Sequence, residues 1–420
     1  MIIKFKVKNF LSFKDDVLFD LRATKDKKFE DYGLIKLNND KIINLALIYG
    51  PNASGKSNFL KALAFLKNII NFRTDDKNKK IDFVIPFLFG DYSKNNPSEF
   101  EIIFHCNGLK YNYCLKINSS EVVYESLKVY LTNRPTSVFE RITENGVSKI
   151  KLGNLRMEDG KRIDSTLKRE LEIKCLKNIS FFAAYSQLNF KIDNIDAVIK
   201  CFDDENYVYI EPEGYEKLRL LLMKKILVGN LIHNDEAFKN SLLDFLKYAD
   251  INIANLKTEK KEIELKEQNK KVEYFDISYL HKAIENGVEK IYALPENLES
   301  KGTLKFLDII SLLFLLPGNG KVFIIDEIEN SIHPLVLKYI IKKFIRERSN
   351  TQLIATTHYD GLLECEDILR KDSIWFMTKR KNASSHIYSL SDFNGLNRIS
   401  SLQKAYEYGR FGAIPEITDL

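Results

Sequence analysis

The sequence predicts an α/β fold, and three observations predict it. An apolar run from Ile42 to Ile48 leads into Gly50-Pro51-Asn52-Ala53-Ser54-Gly55-Lys56-Ser57 and then into a helical pattern. A second apolar strand, Val322 to Ile325, ends in the carboxylates Asp326 and Glu327. Between Phe83 and Leu131 the pattern turns to β, which adds antiparallel strands.

Residues 1–21 alternate twice, Ile3/Phe5/Val7 and Val17/Phe19/Leu21, and Asn9 to Phe13 turns between them, a β-hairpin. Residues 22–41 are polar and Lys-rich and read as a surface loop. The run Ile42, Ile43, Leu45, Ala46, Leu47, Ile48 reads as a buried parallel strand. The segment Gly50 to Ser57 fits G-x-x-x-x-G-K-[ST]. Its glycines let successive N–H groups turn inward around a triphosphate. Lys56 reaches the outer phosphates, Ser57 offers its hydroxyl to Mg²⁺, and the next helix aims its positive N-terminus at the anion. Phe59, Leu63, Leu66 and Ile70 give that helix one apolar face. Gly50 through Asn58 is thus a candidate site for ATP with Mg²⁺.

Arg73–Lys80 is a charged break that reads as a solvated loop. Strands are expected at Phe100–Phe104, Leu109–Ile117 and Val122–Leu131, with Asn107-Gly108 as a tight turn, extending the same sheet. Residues 132–160 read as further hairpin and loop, with a turn at Asn145-Gly146. Arg162–Asn178 reads as helix, and Ile179 to Gln187 as a short buried strand ending on the glutamine. Residues 193–250 read as mainly helical, with stripes at Tyr215–Val228 and Glu236–Tyr248. Ile251–Phe275 reads as a hairpin whose tip, Lys257–Lys271, interleaves both charge signs and is solvated. No internal repeat or long heptad run is visible.

The net charge of +6, from 64 basic and 58 acidic side chains, decides neither for nor against nucleic acid. Five scattered cysteines (Cys106, Cys114, Cys175, Cys201, Cys365) form no C-x-x-C pair, and they read as reduced thiols of a cytoplasmic protein. Met1 to Val7 alternates like a strand rather than a signal peptide. The most apolar stretch, Ile309–Leu316, is too short to span a bilayer, so no membrane partner is expected. His105, His233, His281 and His386 have no partners by spacing and read as structural or surface residues.

The strand ending in Asp326-Glu327 supplies what a nucleotide site still lacks, a Mg²⁺-associated aspartate and a water-activating glutamate. Ser300 and Gly302 stand at the start of the apolar helix Leu304–Leu316, a second anion nest, with Gly302 24 residues ahead of Asp326. Gln352 to Thr357 is a strand that ends on His358, 32 residues after Asp326. Here the chain resembles ABC-type ATPases. Ser300 and Gly302 match their signature, His358 their switch histidine, Gln187 their Q-loop glutamine and metal contact, and Ser331-Ile332-His333-Pro334 their D-loop. Lys301 departs from the small residue usual in the signature.

Lys56 and Ser300 lie 244 residues apart, which is unlike a transport subunit, and Asn9 to Phe13 resembles the opening of the RecF, SMC and OLD branch. Within that branch, Glu299-Ser300-Lys301-Gly302-Thr303, the run Asp326 to Pro334 and the ending Tyr408 to Pro415 are similar to AAA-type ATPases of abortive-infection cassettes. Tyr408 to Pro415 reads either as a segment packed back on the body or as a partner-docking element.

The resemblance implies a P-loop NTPase, an ABC-ATPase head with an antiparallel β extension and a central helical lobe. The expected parts are 1–178 and 286–420 for the head and 179–285 for the inserted lobe. Two heads would sandwich two ATP, with Gly50–Ser57, Gln187, Asp326, Glu327 and His358 of one protomer facing Ser300 and Gly302 of the other. Its expected function is ATP hydrolysis in a sensor or regulator of a separate effector, a nuclease or toxin, in antiphage defence. Only 62 residues follow His358, too few for an appended Toprim nuclease domain, and no D-x-D occurs among them. The alternative is a DNA-binding repair clamp of RecF type that uses Lys25–Lys28 and Lys77–Lys80 as phosphate contacts. A structural scaffold would leave Lys56, Asp326 and Glu327 idle.

Overall fold

The computed structural model describes residues 1–37, 40–153, 165–211, 224–249, 251–265, 270–315, 320–347 and 350–415. In its N-terminal part, apolar alternation becomes the strands β1 (Ile2–Lys8), β2 (Val17–Asp20), β3 (Leu34–Leu37), β4 (Asp40–Ile43) and β5 (Leu45–Tyr49). β5 is buried at every position, the mark of a strand covered on both faces. Then come β6 (Ser98–Cys106), β7 (Leu109–Ile117), β8 (Val122–Tyr130), β9 (Pro135–Glu144) and β10 (Val147–Leu152), turning at Asn107-Gly108 and Asn145-Gly146. Both asparagines and both glycines hold positive φ, which is why these residue types stand there. The later strands are β11 (Tyr207–Ile210), β12 (Asn255–Leu265), β13 (Lys270–Glu285), β14 (Val288–Pro295), β15 (Val322–Ile325), β16 (Gln352–Thr356), β17 (Ile374–Lys379) and β18 (Ser385–Ser389).

The chain divides into two compact units: Met1–Tyr209 with Gly320–Ile324 and Asn350–Leu420, and Ile210–Asn319 with Ile325–Ser349. The first holds a six-stranded sheet of order β11-β15-β16-β5-β17-β18 and a seven-stranded one of order β10-β9-β8-β7-β6-β1-β2. β16 and β17 flank β5 in parallel, whereas β18 returns antiparallel to β17. Contrary to the expectation from sequence, the antiparallel strands form a second sheet and do not extend the sheet of β5. The reason is the helix Lys56–Asn71, whose Phe59, Leu63 and Phe65 share one apolar core with Ala46 and Ile48 of one sheet and Phe5, Phe19 and Phe100 of the other. A helix covered from both sides needs more than one apolar face, and only Lys61, Asn68 and the terminal Asn71 among its residues are exposed.

Four further expectations are corrected. Residues 22–41 carry β3 and the start of β4 and are not simply loop, and Ile42 and Ile43 pair antiparallel with β3, so the parallel strand expected from Ile42 is β5 alone. Phe181–Tyr185 is a helix rather than a strand, capped by Ser180 (Ala183 N–H to Oγ, 3.1 Å), with Phe181 N–H donating to Glu125 at 2.8 Å. Short apolar runs do not distinguish the two states; here the cap does. Cys106 and Cys201 are joined by a disulfide, leaving Cys114, Cys175 and Cys365 free. Spacing could not reveal that bond, because it joins β6 to the end of the helix Asp193–Cys201 across 95 residues. Finally, Asn286-Gly287 makes a second hairpin turn, so the β segment has three strands, β12-β13-β14.

In the second unit that sheet packs against the helices Gly229–Asn234 and Glu236–Tyr248. Gly229 permits the approach: a Cβ there would lie 2.7 Å from that of Phe275. Phe245, Phe314 and Phe344 form an aromatic cluster with Lys343 over the Phe245 ring at 4.7 Å. The expected helix at Leu304–Leu316 is an α-helix over Lys301–Ile310 followed by a π turn, Ser311–Leu315. Residues 215–223 of the expected stripe Tyr215–Val228, and the 266–269 part of the hairpin tip, lie outside the described residues. Among the described residues no helix is long and apolar enough to cross a membrane.

Candidate functional site

β5 delivers the chain to Gly50. A Cβ at Gly50 would sit 2.3 Å from the Met377 carbonyl oxygen, and one at Gly55, where φ is 107°, 2.2 Å from Ser385 Oγ. Both positions therefore exclude any side chain. Ala53 between them turns through φ 59°. The result is a concave run of backbone that closes onto the first turn of the helix Lys56–Asn71. Gly55 is its N-cap and no side chain caps the helix start, the end of a helix that attracts an anion. Phe59 N–H donates to the Gly55 carbonyl at 2.9 Å. Lys56 is buried and its ammonium donates to the carbonyls of Gly50 (2.8 Å) and Pro51 (3.1 Å), so the cation is folded over the mouth of the loop. Pro51, Ser57 and Asn58 are half-buried, Asn52 and Ala53 exposed, and Ser54 buried.

His358 is brought to the same end of β5. Thr357 N–H continues the β16 ladder to the Ile48 carbonyl at 3.0 Å, and the exposed His358 is the next residue. Gln187 lies at the exit of the helix Phe181–Tyr185, its N–H donating to the Ala184 carbonyl at 3.1 Å, and its side chain is exposed. That helix is held firmly. Tyr185 donates its hydroxyl to Asp196 at 2.7 Å, and the fully buried Arg141 bonds Glu125, Ile179 O and Leu176 O.

The second unit gathers the other predicted residues. Asp326 is buried, and its N–H donates to the Ile210 carbonyl at 2.9 Å. Glu327, half-buried, takes φ 49°, and Ser331 φ 63°, left-handed conformations that a non-glycine residue adopts at a cost. His333 caps the helix Pro334–Arg346, Nδ1 accepting from Leu335 N–H at 3.3 Å. Ser300 caps its own helix, accepting Thr303 N–H at 3.0 Å. Gly302 lets this helix start against the loop after the carboxylates: a Cβ there would be 2.5 Å from the Ser331 carbonyl oxygen.

Two partners escaped the sequence reading. Lys305, one turn into the same helix, has its pKa pushed down by burial and pulled back up by Asp308, Asp326, Glu327 and Glu329. Its i, i+3 relation to Gly302 is the signal that could have found it. His281 pairs with Glu299, the residue before Ser300, across the end of β13, and nothing in the spacing reveals that.

A family model described as AAA domain, putative AbiEii toxin, Type IV TA system matches residues 45–143 and 214–364. The chain is 23% identical over 385 residues to the Endonuclease GajA of Bacillus cereus (strain VD045), covering 88% of this chain and 60% of that protein. It thus spans about 60% of the length of that curated relative. Among solved structures it is similar to the SMC head domain from Thermotoga maritima (TM-score 0.39, 15% identity, 92% of this chain and 98% of that one). A second is an Smc head domain with an extended coiled coil, bound to the C-terminal domain of ScpA, derived from Pyrococcus furiosus (TM-score 0.40, 14% identity, 98% of each chain).

Proposed function

For this chain, which belongs to the family of AAA domains described as putative AbiEii toxin of Type IV TA systems, we propose ATP binding and hydrolysis at the loop Gly50–Ser57. The family is one of P-loop ATPases, and the chain is an ABC-type ATPase of the branch that holds RecF, SMC and OLD proteins, related to abortive-infection proteins. The observation that carries the proposal is the cradle itself: two positions closed to any Cβ, an αL step between them, a helix start that no side chain caps and a buried lysine. That is a receptor for a polyphosphate.

In this reading the γ-phosphate takes over the Lys56 ammonium from the Gly50 and Pro51 carbonyls. The hydroxyl of Ser57 and the carboxylate of Asp326 are hard oxygen donors of the kind Mg²⁺ accepts, with Gln187 as a further oxygen. Bound Mg²⁺ would neutralise charge on the phosphates. Glu327 orients or deprotonates the attacking water, and His358 contacts the γ-phosphate. Ser300 and Gly302 serve a second protomer's nucleotide, so ATP closes a dimer of heads. The role proposed for that switch is control of a separate effector, a nuclease or toxin, in antiphage defence, in keeping with the AbiEii description and the GajA relative. The name of that relative, an endonuclease, favours nucleic-acid contact as a second reading.

Glu327→Gln tests the first. It is expected to bind ATP like the wild type, to lose turnover by about 100-fold or more, and to accumulate as a dimer in light scattering. An ATP-bound Glu327→Gln protein that stays monomeric would refute the sandwich.

A further inference from the structure

A phosphate loop binds only if its amides face inward, and something must hold the peptides in that orientation. In this chain the holder comes from β18, far away in sequence. Ser385 is 3% exposed, and its hydroxyl donates to the Ser54 carbonyl at 2.6 Å. Its N–H donates to the Ser12 carbonyl at 2.7 Å, which ties β18 to the turn between β1 and β2. Gly55 packs directly against it: a Cβ there would meet both Ser385 Oγ (2.2 Å) and Ser12 Oγ (2.8 Å). The loop is therefore held by the Ser385 hydroxyl, with the Ser12 side chain, from the other end of the chain, packed beside Gly55.

The grip has a direction. Every described peptide is trans, and in a trans peptide C=O and N–H point in opposite directions. Pulling the Ser54 carbonyl outward toward Ser385 turns the Gly55 N–H inward. Among the described residues that N–H makes no hydrogen bond. We infer that Ser385 is a positioning residue for nucleotide binding, which orients the Ser54–Gly55 peptide so that the Gly55 amide is presented to a phosphate oxygen. The inference rests on the proposed ATP site and deepens it.

Ser385→Ala removes the donor and little else. Because the amide engages phosphate in ground and transition states alike, the loss should fall on binding. The dissociation constant and KM for ATP are expected to rise roughly five- to tenfold, the equivalent of one hydrogen bond, with kcat within about twofold. Ser384→Ala is the control, since that buried hydroxyl donates to Asn382 Oδ1 at 2.7 Å and not to the loop; its ATP affinity should equal the wild type's. Ser385→Thr, which keeps the hydroxyl, should restore affinity. If Ser385→Ala does not fold, Ser385→Cys, nearly isosteric with a far weaker donor, carries the same test. Wild-type affinity in the folded Ala or Cys variant, or an equal loss in Ser384→Ala, overturns the inference while leaving the ATP site standing. A wild-type protein that binds no ATP overturns both.

Discussion

Three non-glycine residues of the predicted nucleotide motifs, Ala53, Glu327 and Ser331, stand in the left-handed region at φ 59°, 49° and 63°. Each costs about 1–2 kcal/mol relative to glycine. At Ala53 the side chain is exposed, so the cost has no packing return. Ala53→Gly is therefore expected to raise stability by up to about 1 kcal/mol, after the extra freedom of the unfolded chain is subtracted. Denaturant unfolding checks this, and a loss of stability would mean the Ala53 methyl is packed. Lys56→Ala removes the ammonium that bridges two loop carbonyls. Its ATP affinity should fall by roughly 10- to 100-fold, the range of a hydrogen bond to a charged group, as read by titration calorimetry.

At the scale of elements, the segment behind Gln187 is secured twice over. Arg141 and Glu125 are both fully buried, and they hold Ile179 O and Phe181 N–H respectively. Burial pushes the Glu125 carboxyl above its ordinary pKa, against the pull of Arg141. Arg141→Leu would strand that carboxylate and cost about 3–5 kcal/mol, visible as a lower denaturation midpoint. The Cys106–Cys201 bond closes a loop of 95 residues between β6 and the helix Asp193–Cys201. Such a closure is worth up to about 4.7 kcal/mol in the chain-entropy model. Thiol titration of the denatured, unreduced protein should count three free thiols, and reduction should lower Tm; five thiols would refute the bond.

For the whole molecule, the question is what the proposed ATPase reports to. Turnover by the purified protein, with and without duplex DNA at low and moderate salt, separates the two readings. Turnover indifferent to DNA is the expected outcome for a regulator of a protein effector. Strong stimulation that collapses with salt would instead mark phosphate contacts. The Lys25–Lys28 loop is then the first target, because Arg370 grips it through the Asp26 and Lys28 carbonyls and pairs with Asp372, which also takes Thr24 N–H at 2.8 Å.

By itself the sequence determined the parallel strand Leu45–Tyr49, the loop and the helix after it, because that information is local, though it ran Ile42 and Ile43 of the antiparallel β4 into the same strand. Burial shows as a run of apolar residues, and only glycine tolerates the backbone at Gly50 and Gly55. It also determined the strand that ends at Asp326 and the N-terminal hairpin, each a contiguous pattern. The tertiary structure alone decided what lies outside those patterns. It separated two sheets around one helix, made a helix of Phe181–Tyr185 through a cap and a buried carboxylate, and joined Cys106 to Cys201. It also brought Ser12 and Ser385 onto the outside of the phosphate loop. A single serine hydroxyl has no periodicity and no spacing rule, so its role exists only once chain ends more than 370 residues apart meet at Gly55.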